Sequence, residues 1–119
     1  MEPRVFEVDE RDAAWESHEP RFRVYLFAGE VTEPGLATET YDVTGADVLQ
    51  VIDWAQRTAG PRLYAVALVD DHPSDGRGLV WLVGMDANDT GDATDEVRRR
   101  MVERRTRPVV VPPPDQATF

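Results

Sequence analysis

Alternating and continuous runs of apolar residues predict four β-strands in this chain. Residues 21–28 (RFRVYLFA) alternate between two faces and are rich in aromatic side chains, which is typical of a strand. Residues 37–43 (ATETYDV) form a second predicted strand, whose threonines and charges are typical of a sheet edge. Residues 63–69 (LYAVALV) and 79–85 (LVWLVGM) are apolar on both faces, so we expect both in the middle of a sheet that is covered on each side.

An apolar stripe with helical spacing predicts a helix over residues 46–59. Its members recur three or four residues apart: Val48, Ile52, Ala55 and Ala59. We expect Thr44 to cap the first turn, with Asp47 three residues further on, and Gly60-Pro61 combines two signals that end a helix.

A second helix is predicted at about residues 94–106, where the apolar stripe is thin and arginine fills much of the remaining surface. The stripe consists of Ala93, Val97 and Met101. The chain then continues as Pro108-Val-Val-Val-Pro-Pro-Pro, in which the valines could form a short edge strand and the prolines favour extended backbone.

The predicted order of elements is ββαββα, which indicates an α+β fold. We expect a mainly antiparallel four-stranded sheet with the helices packed on one face, as a single domain over residues 1–107, followed by an extended proline-rich C-terminal tail over residues 108–119. Because Ala65 and Ala67 are small and share a face, the first helix is expected to pack there. The opposite face is expected to be covered by the segment around Trp15 or by a second copy of the chain, so a homodimer stays open.

The residue types that are missing remove much of the usual catalytic chemistry. The chain has no lysine, no cysteine and only two histidines, His18 and His72. A thiolate nucleophile, a Schiff-base or P-loop lysine and a cysteine-ligated zinc are therefore excluded. No GxGxxG, GxSxG or HExxH motif is present. An enzyme is disfavoured and no cofactor is expected.

The charge is strongly negative and unevenly spread. The net charge is −10, with 21 acidic and 7 basic residues in residues 1–97 but 2 acidic and 6 basic residues in residues 98–119. Such a surface disfavours direct nucleic-acid binding and suits a basic protein partner. No apolar run approaches the roughly 18 residues of a membrane helix, and the acidic N-terminus is not a signal peptide. Together with the absence of cysteine, this predicts a cytoplasmic protein.

Residues 86–97 resemble a calcium loop of the EF-hand type. The oxygen-bearing candidates for metal ligands are Asp86, Asn88, Thr90, Asp92 and Glu96, and Gly91 occupies the turn position. The twelfth position, which should hold a bidentate glutamate, is Val97, and a strand precedes the loop. The pattern therefore favours a strand-to-helix connection in which these side chains cap turns and the helix start, with weak calcium binding as the alternative.

A second polar cluster, Asp70-Asp71-His72-x-x-Asp75, lies in the predicted hairpin loop of residues 70–78. Carboxylates beside an imidazole could ligate a metal or act as an acid–base pair, but a solvated hairpin tip is the favoured interpretation. The two clusters are expected at opposite ends of the hairpin, about 20 Å apart, so a joint site is not predicted.

The leading functional hypothesis is a small acidic protein-interaction module of the inhibitor, immunity or accessory-subunit type. Its expected partner contacts are Asp70, Asp71, His72, Asp75, Arg98 and Arg99. The arginines of residues 98–107 could equally pair with carboxylates of their own domain. Two alternatives stay open: a small-ligand or weak calcium-binding domain, and a small enzyme that depends on carboxylates or a metal.

Overall fold

The computed structural model describes residues 2–29, 35–72, 76–89 and 95–111. After a short 3-10 turn at Glu10–Asp12, the elements follow the predicted ββαββα order and make an α+β fold. They are β1 (Arg21–Ala28), β2 (Ala37–Val43), α1 (Val48–Ala59), β3 (Leu63–His72), β4 (Gly76–Val83) and α2 (Asp95–Arg104). Within the described ranges, no helix is both long and apolar enough to cross a membrane.

The four strands form one antiparallel sheet in the order β2-β1-β3-β4. The prediction that β2 is an edge strand is confirmed. The prediction that residues 79–85 lie in the middle of the sheet is wrong, because β4 is the other edge. Its side chains are correspondingly exposed, Val80 by 48% and Leu82 by 43%. An apolar run in the sequence indicates a hydrophobic strand, but it does not show how many neighbouring strands pair with that strand.

One face of the sheet packs against α1. The shared core combines Phe22, Val24 and Leu26 of β1, Tyr64 and Val66 of β3, and Val51, Ile52, Ala55 and Ala59 of α1. These strand residues lie side by side because Val24 pairs with Val66 and Leu26 pairs with Tyr64. Val48, which the spacing placed on the apolar stripe, is exposed, and Val51 is buried in its stead.

The opposite face packs against α2 through Met101. The core here contains Phe27 of β1 and Leu63 and Ala65 of β3, and Met101 is almost fully buried. The approach is close, since a Cβ on Gly84 would lie 3.2 Å from both Ala65 Cβ and Met101 Cγ.

This arrangement corrects three expectations. The helices lie on opposite faces of the sheet, not on one, and the small side chain of Ala65 admits α2 and not α1. Trp15 does not cover the second face, because it is 77% exposed. The physical reason is parity: Ala65 alternates with Tyr64 and Val66 along β3, so the helix that takes the larger residues leaves the alanine face free.

Helix α1 begins later than predicted because Asp47, not Thr44, is its N-cap. The Asp47 Oδ1 atom accepts a hydrogen bond from Gln50 N at 2.9 Å, and Gln50 Oε1 accepts one from Asp47 N at 2.9 Å. This reciprocal pair satisfies two backbone donors at the helix start. The helix ends before Gly60, as predicted.

Candidate interaction surface

The outer edge of β4 carries a row of apolar side chains, here called the β4 edge: Leu79, Val80 and Leu82 are exposed, and Trp81 between them is half-buried. Val80 and Leu79 lie on opposite faces of the strand, because they pair with successive residues of β3, Leu68 and Val69. Apolar surface is thus offered on both faces of a strand that has only one neighbour among the described residues.

Trp81 lies in the middle of the β4 edge and contacts an aromatic residue of β1. Its ring lies 5.0 Å from the ring of Tyr25 on β1, in a tilted arrangement that spans β3. Between them, Ala67 pairs with Trp81, and its small side chain leaves room for the two rings to meet. The aromatic contact anchors the central part of the edge.

The two edges of the sheet differ in how they are protected. On β2, charged side chains occupy the strand, and Asp42 accepts hydrogen bonds from Arg23 Nε and Arg21 Nε, each at 2.7 Å. Charged edges resist pairing with foreign strands, whereas five successive apolar residues, 79–83, favour it. A register irregularity between Val66 and Ala67 distorts the far end of β4, which is a partial protection.

The Asp42 carboxylate on β2 accepts hydrogen bonds from two arginines of β1, Arg21 and Arg23. The hydrogen bond from Arg23, with a smaller contribution from Arg21, lowers the pKa of Asp42 to about 2 despite partial burial. The same contact raises the pKa of Arg23. This cluster was not predicted from the sequence. Predicting it would have required the β1–β2 register, in which Arg23 lies opposite Asp42.

The acidic cluster at the hairpin lies at the end of β3, opposite the start of β4, and not in a loop as predicted. Asp70, Asp71 and His72 belong to β3 and pair with Gly78, Arg77 and Gly76. Arg77 Nε donates to Asp71 Oδ1 at 2.6 Å, and Asp70 is exposed. Asp75 lies outside the described residues. The cross-strand ion pair between Arg77 and Asp71 supports this continuation of the paired strands past Val69.

The described start of the predicted calcium loop, residues 86–89, is held in the fold by side-chain hydrogen bonds. Asn88 Oδ1 accepts a hydrogen bond from Leu36 N at 2.6 Å, and Asn88 Nδ2 donates to Leu36 O at 3.1 Å. Asp86 Oδ1 accepts one from Asn88 N at 2.9 Å. Asn88 therefore pins the start of β2 to the segment after β4, a contact that no local pattern indicates.

Of the remaining candidates for metal ligands, Glu96 lies within the described residues. Glu96 Oε1 accepts a hydrogen bond from Arg100 at 2.9 Å, while Thr90 and Asp92 lie outside the described residues. Within those described, no group of three or more His, Asp or Glu side chains could hold a metal ion.

The two arginines predicted to contact a partner are engaged within the domain. Arg98 donates to the backbone carbonyl of Asp89, and Arg99 donates to Glu103 Oε1 at 2.7 Å, one helical turn away. Such exposed pairs along a helix contribute little stability and exchange readily with a partner.

A depression of about 770 Å³ lies between residues 18–20 and the start of α1. Its wall includes Asp47 and Gln50, whose side chains already satisfy each other's backbone N–H groups. His18 reaches it from an exposed segment and lies 3.7 Å from Glu16. The His18 and Glu16 side chains are both largely exposed, which is typical of a solvated contact and not of a buried acid–base pair.

No known protein family, curated protein or solved structure matches this chain.

Proposed function

We propose that this protein is an interaction module that binds an extended segment of a basic partner protein along the β4 edge. The partner segment adds a fifth strand to the sheet by pairing with the free backbone of β4. The observation that carries this proposal is that one edge strand combines exposed apolar residues with a side that no other described strand pairs with.

The apolar part of the edge supports a partner with hydrophobic side chains at alternate positions. Leu79 and Val80 are presented on opposite faces of the sheet, so successive residues of an added strand each meet an apolar neighbour. Burial of these side chains supplies affinity that the backbone hydrogen bonds alone would not.

The charge around the edge supports basic flanks on the partner segment. Exposed Asp70 lies near the start of β4 and Asp86 follows its end, and the chain as a whole carries a net charge of −10. A second copy would bring the same negative charge to the contact, whereas a lysine- or arginine-bearing segment would be steered towards it.

Selection from a library of random displayed peptides tests the proposal. Peptides with alternating apolar residues and basic ends should be enriched, and their dissociation constants should rise with added salt because screening weakens the charge contacts. On binding, amide hydrogen exchange should slow along β4.

A matched pair of variants locates the contact. The double variant Val80→Lys and Leu82→Lys should abolish binding of the selected peptides, since it places positive charge on the apolar edge. Thr40→Lys with Thr38→Lys adds the same charge to the β2 edge and should leave binding nearly unchanged. Equal losses in both variants, protection of β2, or failure to enrich any peptide over an unrelated bait would refute the assignment.

A further inference from the structure

A small pocket lies between the C-terminal half of α1 and the segment that leaves α2. It is lined by Gln56, Arg57, Arg104, Arg105, Thr106 and Pro108 and has a volume of about 250 Å³. Three of its six lining residues are arginines, although the chain as a whole has a large excess of acids.

Two arginines of this pocket, Arg104 and Arg105, differ from most others in the described part of the chain. Most of the other described guanidinium groups pair with carboxylates: Arg21 and Arg23 with Asp42, Arg57 with Asp53, Arg62 with Glu39, Arg77 with Asp71, Arg99 with Glu103 and Arg100 with Glu96. Among the described residues, Arg104 and Arg105 form neither an ion pair nor a side-chain hydrogen bond. The pocket therefore holds positive charge that the described carboxylates leave unneutralised.

Two contacts hold the walls of the pocket in place. Asp53, only 5% exposed, accepts a hydrogen bond from Arg57 Nε at 3.0 Å and forms an ion pair with the same guanidinium, whose Nη2 lies 2.8 Å from Asp53 Oδ2, so Arg57 is fixed on α1. Gln56 Oε1 accepts from Val109 N at 2.8 Å, and Gln56 Nε2 donates to the carbonyl of Val110. These hydrogen bonds hold the segment after α2 against α1. Arg104 and Arg105 are therefore held near Arg57 before any ligand binds.

We propose that this pocket binds the phosphate group of a small molecule. Guanidinium groups match phosphate oxygens with paired, charge-assisted hydrogen bonds, and several arginines together are needed to replace the hydration of a dianion. The volume lies just below the usual range for ligand sites, so it suits a phosphate or a small phosphomonoester. The site is separate from the β4 edge and stands or falls independently of the interaction proposed there.

An NMR titration with inorganic phosphate and with methyl phosphate, at constant ionic strength set by chloride, tests the proposal. Saturable shifts are expected for the amides of residues 104–108 and for the side chain of Gln56. The rest of the surface is negative, so chloride should compete with phosphate only at this pocket. We therefore expect chloride to weaken the apparent affinity for phosphate through that competition alone. A stronger response to methyl phosphate indicates a phosphomonoester as the natural ligand, and an equal response indicates free phosphate.

The double variant Arg104→Gln and Arg105→Gln should weaken phosphate binding by roughly tenfold or more, since it removes the charge-assisted hydrogen bonds that these two guanidinium groups would make to phosphate. The control, Arg99→Gln with Arg100→Gln, removes the same charge from the same helix and should change the affinity less than about twofold. Arg105→Gln alone, at an exposed position, serves if the double variant does not fold. Identical shifts with chloride, no saturation, or equal losses in the two double variants would overturn the assignment.

Discussion

Tyr64 carries a hydroxyl group that folding buries without a hydrogen-bond partner among the described residues. Burial also raises the pKa of this phenol, because the charged form would lose its hydration. We expect Tyr64→Phe to raise the free energy of unfolding by about 1 kcal/mol, since it removes an unsatisfied polar group at almost constant shape. Chemical denaturation measures it, and a loss of stability on substitution would mean that the hydroxyl has a partner.

Asp42 gives the fold a contribution that depends on pH. Its pKa is about 2 in the folded protein, against about 3.9 in an unfolded chain. A lowered pKa means that the contribution is complete above about pH 4 and is lost as the pH falls towards 2. Asp42→Asn should therefore cost about 1 kcal/mol at pH 7, and the difference from the wild type should vanish near pH 2.

The control for this measurement is Asp70→Asn, an exposed acid for which no ion pair is found among the described residues. Its effect on the free energy of unfolding should stay within about 0.5 kcal/mol at each pH. Urea denaturation of the three proteins between pH 7 and pH 2 supplies the comparison. A difference between wild type and Asp42→Asn that does not shrink with acid would show that the ion pairs are not its source.

At the scale of a single element, the start of α1 separates two candidate caps. Asp47→Ala should destabilise the protein by about 1 kcal/mol, because it removes the acceptor for Gln50 N and breaks the reciprocal pair. Thr44→Ala, the cap expected from the sequence, should cost less than about 0.5 kcal/mol. Thermal or urea unfolding distinguishes them, and the reverse order of effects would restore Thr44 as the cap.

Strand β4 shows why an element's type is easier to predict than its place. Its apolar residues correctly indicated a strand, and the antiparallel hairpin with β3 followed from the short connection. Whether the next neighbour is a strand, a helix or solvent depends on residues far away in sequence. In the sheet order β2-β1-β3-β4, β4 has one neighbouring strand among the described residues. A strand whose apolar sequence is typical of a central strand therefore lies at an edge of the sheet.

At the scale of the whole molecule, we expect the free energy of unfolding to depend most on how the two faces of the sheet are covered. Met101→Ala should lower the free energy of unfolding by about 2–5 kcal/mol, because it leaves a cavity where α2 packs against the Ala65 face of the sheet. Trp15→Ala should change the free energy of unfolding by less than about 0.5 kcal/mol, since the indole is exposed. Equilibrium unfolding of both variants is the measurement, and a large loss at Trp15 would indicate that the N-terminal segment covers the sheet after all.

The sequence by itself determined the class of the fold and much of its order. Period-two and helical spacing are local properties, so the four strands, the helix that ends before Gly60 and the ββαββα order could be read without coordinates. The missing lysine and cysteine likewise excluded whole families of catalytic and metal sites from composition alone.

Only the tertiary structure decided which face each helix covers, which strands are edges and which polar residues meet. Asn88 contacts Leu36 across 52 positions of the chain, and Gln56 contacts Val110 across 54. The pocket of Arg57, Arg104 and Arg105 likewise depends on how α1 and the end of α2 come together. Such contacts arise because the packing of the whole chain selects one side of the sheet for each helix, and no spacing within one element records that choice.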